Sequence, residues 1–144
     1  MLSLTCKAAI KATVHLASKM EMDEKFSIKE IAENIDENEH TVGKLLQKLV
    51  KDNIINSSKG PNGGFFITEQ QSKNNILQIV NCIDGKEVFK SCGLGLNKCS
   101  ESHPCPIHNE YKDVRDLFQN LCINTKIHDL CKEVTEGHAF LSRK

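Results

Sequence analysis

The sequence carries no excess charge of either sign: 19 Lys and Arg residues balance 19 Asp and Glu, for a formal net charge of zero. A long-range pull of the whole molecule on nucleic acid or on an acidic surface is therefore excluded. No apolar run is long enough to span a bilayer. At the N-terminus Lys7 and Lys11 interrupt the apolar residues where a secretory leader would need an unbroken stretch, so a cytoplasmic protein without membrane contact is expected. Common enzymatic machinery is missing too. There is no phosphate-cradling GxxxxGK and no pair of carboxylates on a recognisable helix or strand, so neither catalysis nor a small-molecule substrate is expected.

What is present is a chain of 144 residues, 39% hydrophobic, enough for one small core with an appendage. Its neutrality hides local asymmetry. Lys7, Lys11 and Lys19 stand without an acid, residues 21–39 are strongly acidic, and Lys44, Lys48, Lys51 and Lys59 then face only Asp52 up to Thr68. A polar partner could thus dock on one face. Seven cysteines without a leader favour a reducing compartment and cannot all pair within the chain. Cys6, Cys82, Cys122 and Cys131 read as small core residues.

Apolar spacing predicts a first helix over about Thr5 to Lys19, with Ile10, Thr13, Val14 and Ala17 on one side. Ser27 three positions before Glu30 is a capping box opening a short second helix that carries Ile28, Ile31, Ala32 and Ile35. Asp36 or Asn38 can cap a third helix, where Val42, Leu45, Leu46, Leu49 and Val50 form one buried stripe ending near Asn53. "IINSSKGPNGGFFIT" then reads as a hairpin, with strands over 54–57 and 65–68 around a loose turn.

The expected fold is mainly α: a winged helix-turn-helix with a small two-stranded wing. Such a fold reads DNA by placing its third helix in the major groove. The candidate contacts are His40, Thr41, Lys44 and Lys48 on that helix, and Ser58, Lys59 and Asn62 on the wing. Beyond the wing, Ile76, Ile79, Val80 and Ile83 predict a further helix stopped at Asp84-Gly85. A long helix follows from near Pro106 or His108, with Val114, Leu117, Phe118, Leu121 and Cys122 on one side, and then a short segment through Ile127 to Val134. The terminal "EGHAFLSRK" is expected to fray. An apolar helix outside a compact winged domain calls for a partner, and a second copy would present two recognition helices to a palindromic operator. The chain divides accordingly into a DNA-binding domain (1–85), a cysteine-rich loop (86–107) and a dimerisation helix with a short C-terminal helical segment (108–144).

In the loop, "SCGLGLNKCSESHPCPIHNE" offers three thiolates and an imidazole at Cys92, Cys99, Cys105 and His108. Soft donors of this kind select zinc, copper(I) or an iron–sulfur cluster, and Pro104 and Pro106 stiffen the backbone at Cys105. By chemistry alone Cys3His is an ordinary structural zinc set, and a metal-free thiol switch also stays open. His103 is set aside as a bystander.

The chain resembles the Rrf2 family of bacterial transcription regulators over essentially its whole length. The likeness is carried by "SLTCKAAIKATVHLA", by the two short helices, by a wing of the form S-x-x-G-x-x-G-G-[YF], by "ILQIVNCIDG" and by the cysteine loop. It implies a homodimer that binds DNA through the third helix and wing. In many members it also implies an iron–sulfur cluster on three loop cysteines, which correspond here to Cys92, Cys99 and Cys105. A histidine three residues past the last cysteine, the position of His108, would complete a [2Fe-2S] site, which is favoured here over [4Fe-4S]. Members that hold [4Fe-4S] take an acidic ligand from the first helix, where this chain has Ala9 or its neighbour Ala8. Cluster state would then tune DNA binding in response to redox, nitric oxide or iron–sulfur status. The alternative is a metal-free or zinc-bound regulator governed by thiol oxidation or a protein partner. Two departures stand out: the Cys92–Cys99 gap is one residue longer than in the cluster-binding members, and Gly43 replaces a larger side chain on helix three.

Overall fold

The structure is a computed structural model and describes residues 1–143. Helix α1 (Leu4–Ser18) starts where Ser3 Oγ accepts the Cys6 N–H at 3.0 Å. Its alanine-rich flank is wholly buried, and a 3-10 turn at Met20–Met22 follows. The capping box expected at Ser27 and Glu30 opens α2 (Ile28–Ile35). Asn38 caps α3 (Glu39–Lys51), accepting the N–H groups of His40 and Thr41 at 2.9 and 3.2 Å. Asp36, the other candidate cap, instead closes α2 in the left-handed conformation. Asn53 does the same after α3, at φ 60°, and the next N–H, from Ile54, reaches back to Leu49.

Strands β1 (Asn56–Ser58) and β2 (Gly64–Phe66) pair antiparallel, Ser57 facing Phe65. Both are shifted toward the turn from the expected 54–57 and 65–68, taking in Ser58 and Gly64, because Ile54, Ile55 and Ile67 leave the ladder to enter the core. Phe26 bridges Phe65 from the other side, by reciprocal backbone bonds of 3.0 and 2.8 Å. Gly64 at φ 146° is what lets the wing come this close, since a Cβ there would lie 2.8 Å from the Phe26 carbonyl oxygen. A short turn of helix not foreseen from periodicity, α4 (Glu69–Ser72), is held by a second capping box between Thr68 and Gln71.

Helix α5 (Ile76–Ile83) is followed by a 3-10 turn, Lys86–Phe89, by the cysteine loop, and by α6 (His108–Asn124) and α7 (Ile127–Thr135). Val42, Leu45, Leu46 and Leu49 of α3 form the centre of the core, with Ile31 and Ile35 of α2 and Ile79 and Val80 of α5. The α6–α7 junction is stitched to the start of α5: Ile76 N–H donates to Thr125 O at 3.0 Å and Ile127 N–H to Asn74 O at 2.9 Å. Helix α7 therefore turns back and packs along α1. The terminal residues do not simply fray, because Leu141 packs against the core. Among the described residues no helix is long and apolar enough to cross a membrane.

Candidate functional site

The sequence nominated two surfaces, and each has a definite setting in the fold. On α3, His40, Lys44 and Lys48 are exposed, and Thr41 is half-buried with its N–H already engaged by Asn38. Lys59 and Asn62 are exposed at the tip of the wing. Ser58 is different: its Oγ is enclosed and has no hydrogen-bond partner, so the hydroxyl points into the protein and not toward solvent. Along β1 Ser57 faces outward and Ser58 inward, as alternation along a strand requires.

At the loop, Cys92 and Cys105 are buried, Cys99 is half-buried, and His108 is only 7% exposed at the first position of α6. The four donors gather as two pairs. Cys99 Sγ lies 3.4 Å from His108 Nδ1. Cys92 and Cys105 are near enough to shift each other's thiol, and the Cys92 sulfur receives the Leu94 N–H at 3.4 Å. Among the described residues, no three of these donors lie within 4.8 Å of one another, a condition met only by the exposed Glu133, Glu136 and His138.

Backbone N–H groups, led by that of Leu94, pull the Cys92 thiol below its ordinary value. Burial, and then the neighbouring Cys92, pushes Cys105 up. The two neighbouring thiols are thus shifted in opposite directions. Cys6 and Cys82, in contrast, are both pushed up to about 12, chiefly by burial, and Cys122 and Cys131 are raised for the same reason. Cys6, Cys122 and Cys131 are core residues as the sequence indicated; Cys82 is only half-buried, its thiol donating to Lys48 O. Ala8 and Ala9 are fully buried and have no donor to offer.

Sequence reasoning missed the residues that hold the loop. Arg115, 6% exposed, donates from Nη1 to Ser91 O at 2.7 Å, while its buried Nε has no partner. Tyr111 packs beneath Gly93 so closely that a Cβ on the glycine would fall 2.7 Å from the ring. Lys112 reaches Glu101 at 2.8 Å. His108, Tyr111 and Arg115 lie at 0, 3 and 7 along α6, one helical face, and that spacing was a signal present in the sequence.

The opposite part of α6 is bare. The single apolar stripe expected from Val114 to Cys122 divides: Phe118 and Cys122 turn toward the core, with Phe118 edge-on to Phe89 at 5.8 Å. Val114, Leu117 and Leu121 stand in solvent, Leu117 at 70% exposure.

Comparison with known proteins agrees with this architecture. The Rrf2 family, described as an iron-dependent transcriptional regulator, matches residues 2–133. A protein of Aquifex aeolicus named "Putative HTH-type transcriptional regulator" is 28% identical over 138 residues, which cover 94% of each chain. Among solved structures, CymR, the global cysteine regulator of B. subtilis, superposes with a TM-score of 0.74 at 18% identity, covering 92% of this chain and 96% of its own. T. potens IscR gives 0.72 at 16% identity, covering 96% and 91%. These likenesses show a shared winged-helix fold, and the relatives are transcriptional regulators, not enzymes. With its family match spanning nearly the whole chain, this protein belongs to the Rrf2 family of transcriptional regulators.

Proposed function

We propose that the protein is a cytoplasmic homodimer that binds a palindromic DNA operator through α3 and the wing, with affinity tuned by an iron–sulfur cluster on Cys92, Cys99, Cys105 and His108. The observation that carries the reading is the two-sided character of α6. One side starts with His108 and grips the loop through Tyr111 and Arg115; the other exposes Val114, Leu117 and Leu121. A change in the loop therefore has a mechanical route to the surface on which two copies would pair.

The donors suit a two-iron cluster, in which each iron takes two protein ligands. Three thiolates and one imidazole would supply the four protein ligands, and the proximity of Cys99 to His108, at 3.4 Å, supports the reading. The unpartnered Arg115 Nε adds an unused donor behind the loop. When bound, the cluster would supply a redox-active centre. The chain's own part is to present reduced sulfur at Cys92, orient His108 on the first turn of α6, and seat the loop on Tyr111. A metal-free thiol switch is the second reading, favoured by the opposite shifts of the neighbouring thiols, Cys92 lowered and Cys105 raised.

Purification without oxygen, with iron, acid-labile sulfide and zinc analysis, tests the cofactor. Iron and sulfide in near-equal amounts support the cluster. One zinc per chain ends that reading, and metal-free protein that loses DNA affinity on mild oxidation supports the thiol switch in its place.

A further inference from the structure

Gly43 sits in the middle of α3, where glycine is the least favourable residue after proline. Packing does not demand it. A Cβ added there would meet Ile28 Cδ1 at 3.4 Å, an ordinary contact, and Gly43 is not among the positive-φ glycines. What its missing side chain does is open a hollow on the exposed side of the helix. The half-buried Ile28 forms the floor, and Glu39, His40, Lys44 and Gln47 stand around the rim. This hollow lies among the candidate DNA contacts on α3.

Two observations exclude a phosphate as its occupant. The nearest N–H groups of the helix start, those of His40 and Thr41, are already taken by Asn38, and the Glu39 carboxylate on the rim repels an anion. An apolar floor inside a polar, hydrogen-bonding rim instead fits the edge of a base pair in the major groove that carries a methyl group, which is thymine. We propose that the Gly43–Ile28 hollow receives a thymine 5-methyl group, while His40, Lys44 or Gln47 bonds to the flanking base edges. This makes Gly43 a specificity-determining residue by virtue of the space it leaves. The proposal rests on the DNA-binding reading above.

The test begins by selecting duplexes from a randomised pool with the full-length protein, then replacing each thymine singly by uracil, at one fixed salt concentration. Uracil at that position in one half-site should weaken binding about fourfold, the worth of one buried methyl, and about fifteenfold when both half-sites are changed. Gly43→Ala should fold with an undiminished melting temperature yet bind the thymine and uracil duplexes equally. If every uracil duplex binds the wild-type protein within twofold of its parent, the proposal is wrong. It is also wrong if the uracil penalty persists undiminished in Gly43→Ala, which would place the methyl elsewhere. Failure to enrich any duplex would overturn the DNA-binding reading itself, and the proposal with it.

Discussion

His15 shows how a residue can be structurally committed without taking part in either surface. It is buried, its ring edge-on to Phe26 at 5.5 Å, and its Nε2 has no partner. Burial, with Lys19 adding to it and Glu30 opposing, holds it below its ordinary value of 6.5. The folded state thus refuses a proton that the unfolded chain accepts, so stability falls as pH drops from 6.5 toward the depressed folded value. The melting temperature should decline across that window, and His15→Leu should flatten the decline. Arg115, equally buried, instead supports the cysteine loop. Arg115→Met removes the clamp on Ser91 O and should weaken metal binding by about 10- to 100-fold, as loss of an outer support typically does, with faster hydrogen exchange across 91–107 as the independent readout. Neither residue was singled out in the sequence. A lone histidine on an alanine-rich helix and an arginine among exposed charges acquire a role only from what packs over them.

Among the elements, α6 had the most left undecided. Its length and its start at His108 followed from the run of apolar spacing after Pro106. Which of its apolar residues would be covered did not, because periodicity reports a face and not its occupant. The fold assigns Phe118 and Cys122 to the core and leaves Val114, Leu117 and Leu121 bare. Leu117→Lys should therefore leave the folded monomer nearly unaffected, since an exposed substitution costs within about 0.5 kcal/mol. It should abolish self-association in sedimentation experiments; a variant that remains dimeric would place the interface elsewhere. The Ser27–Glu30 capping box, the Asn53 stop and the wing were legible because each depends on bonds within a few residues. The inward turn of Ser58 was not, since strand register decides it.

At the scale of the molecule, a protein with no net charge must bind DNA through a local patch. Such binding depends on salt through the few lysines that meet phosphate. Lys59→Ala should weaken binding and lower the salt slope by about 1 for the phosphate no longer neutralised, and Lys44→Ala, beside the base edges, should weaken binding and relax specificity; unchanged binding would remove that lysine from the interface. The sequence by itself determined the order of the longer helices, the wing, the core stripe of α3 and the grouping of Cys92, Cys99, Cys105 and His108 in one loop, because these follow from local periodicity, capping and spacing. Only the tertiary structure decided that the donors meet as two pairs, that Arg115 and Tyr111 seat the loop, and that α7 folds back on α1 while one side of α6 stays open. Those outcomes depend on contacts between residues far apart in the chain, and the shape of the assembled core selects them.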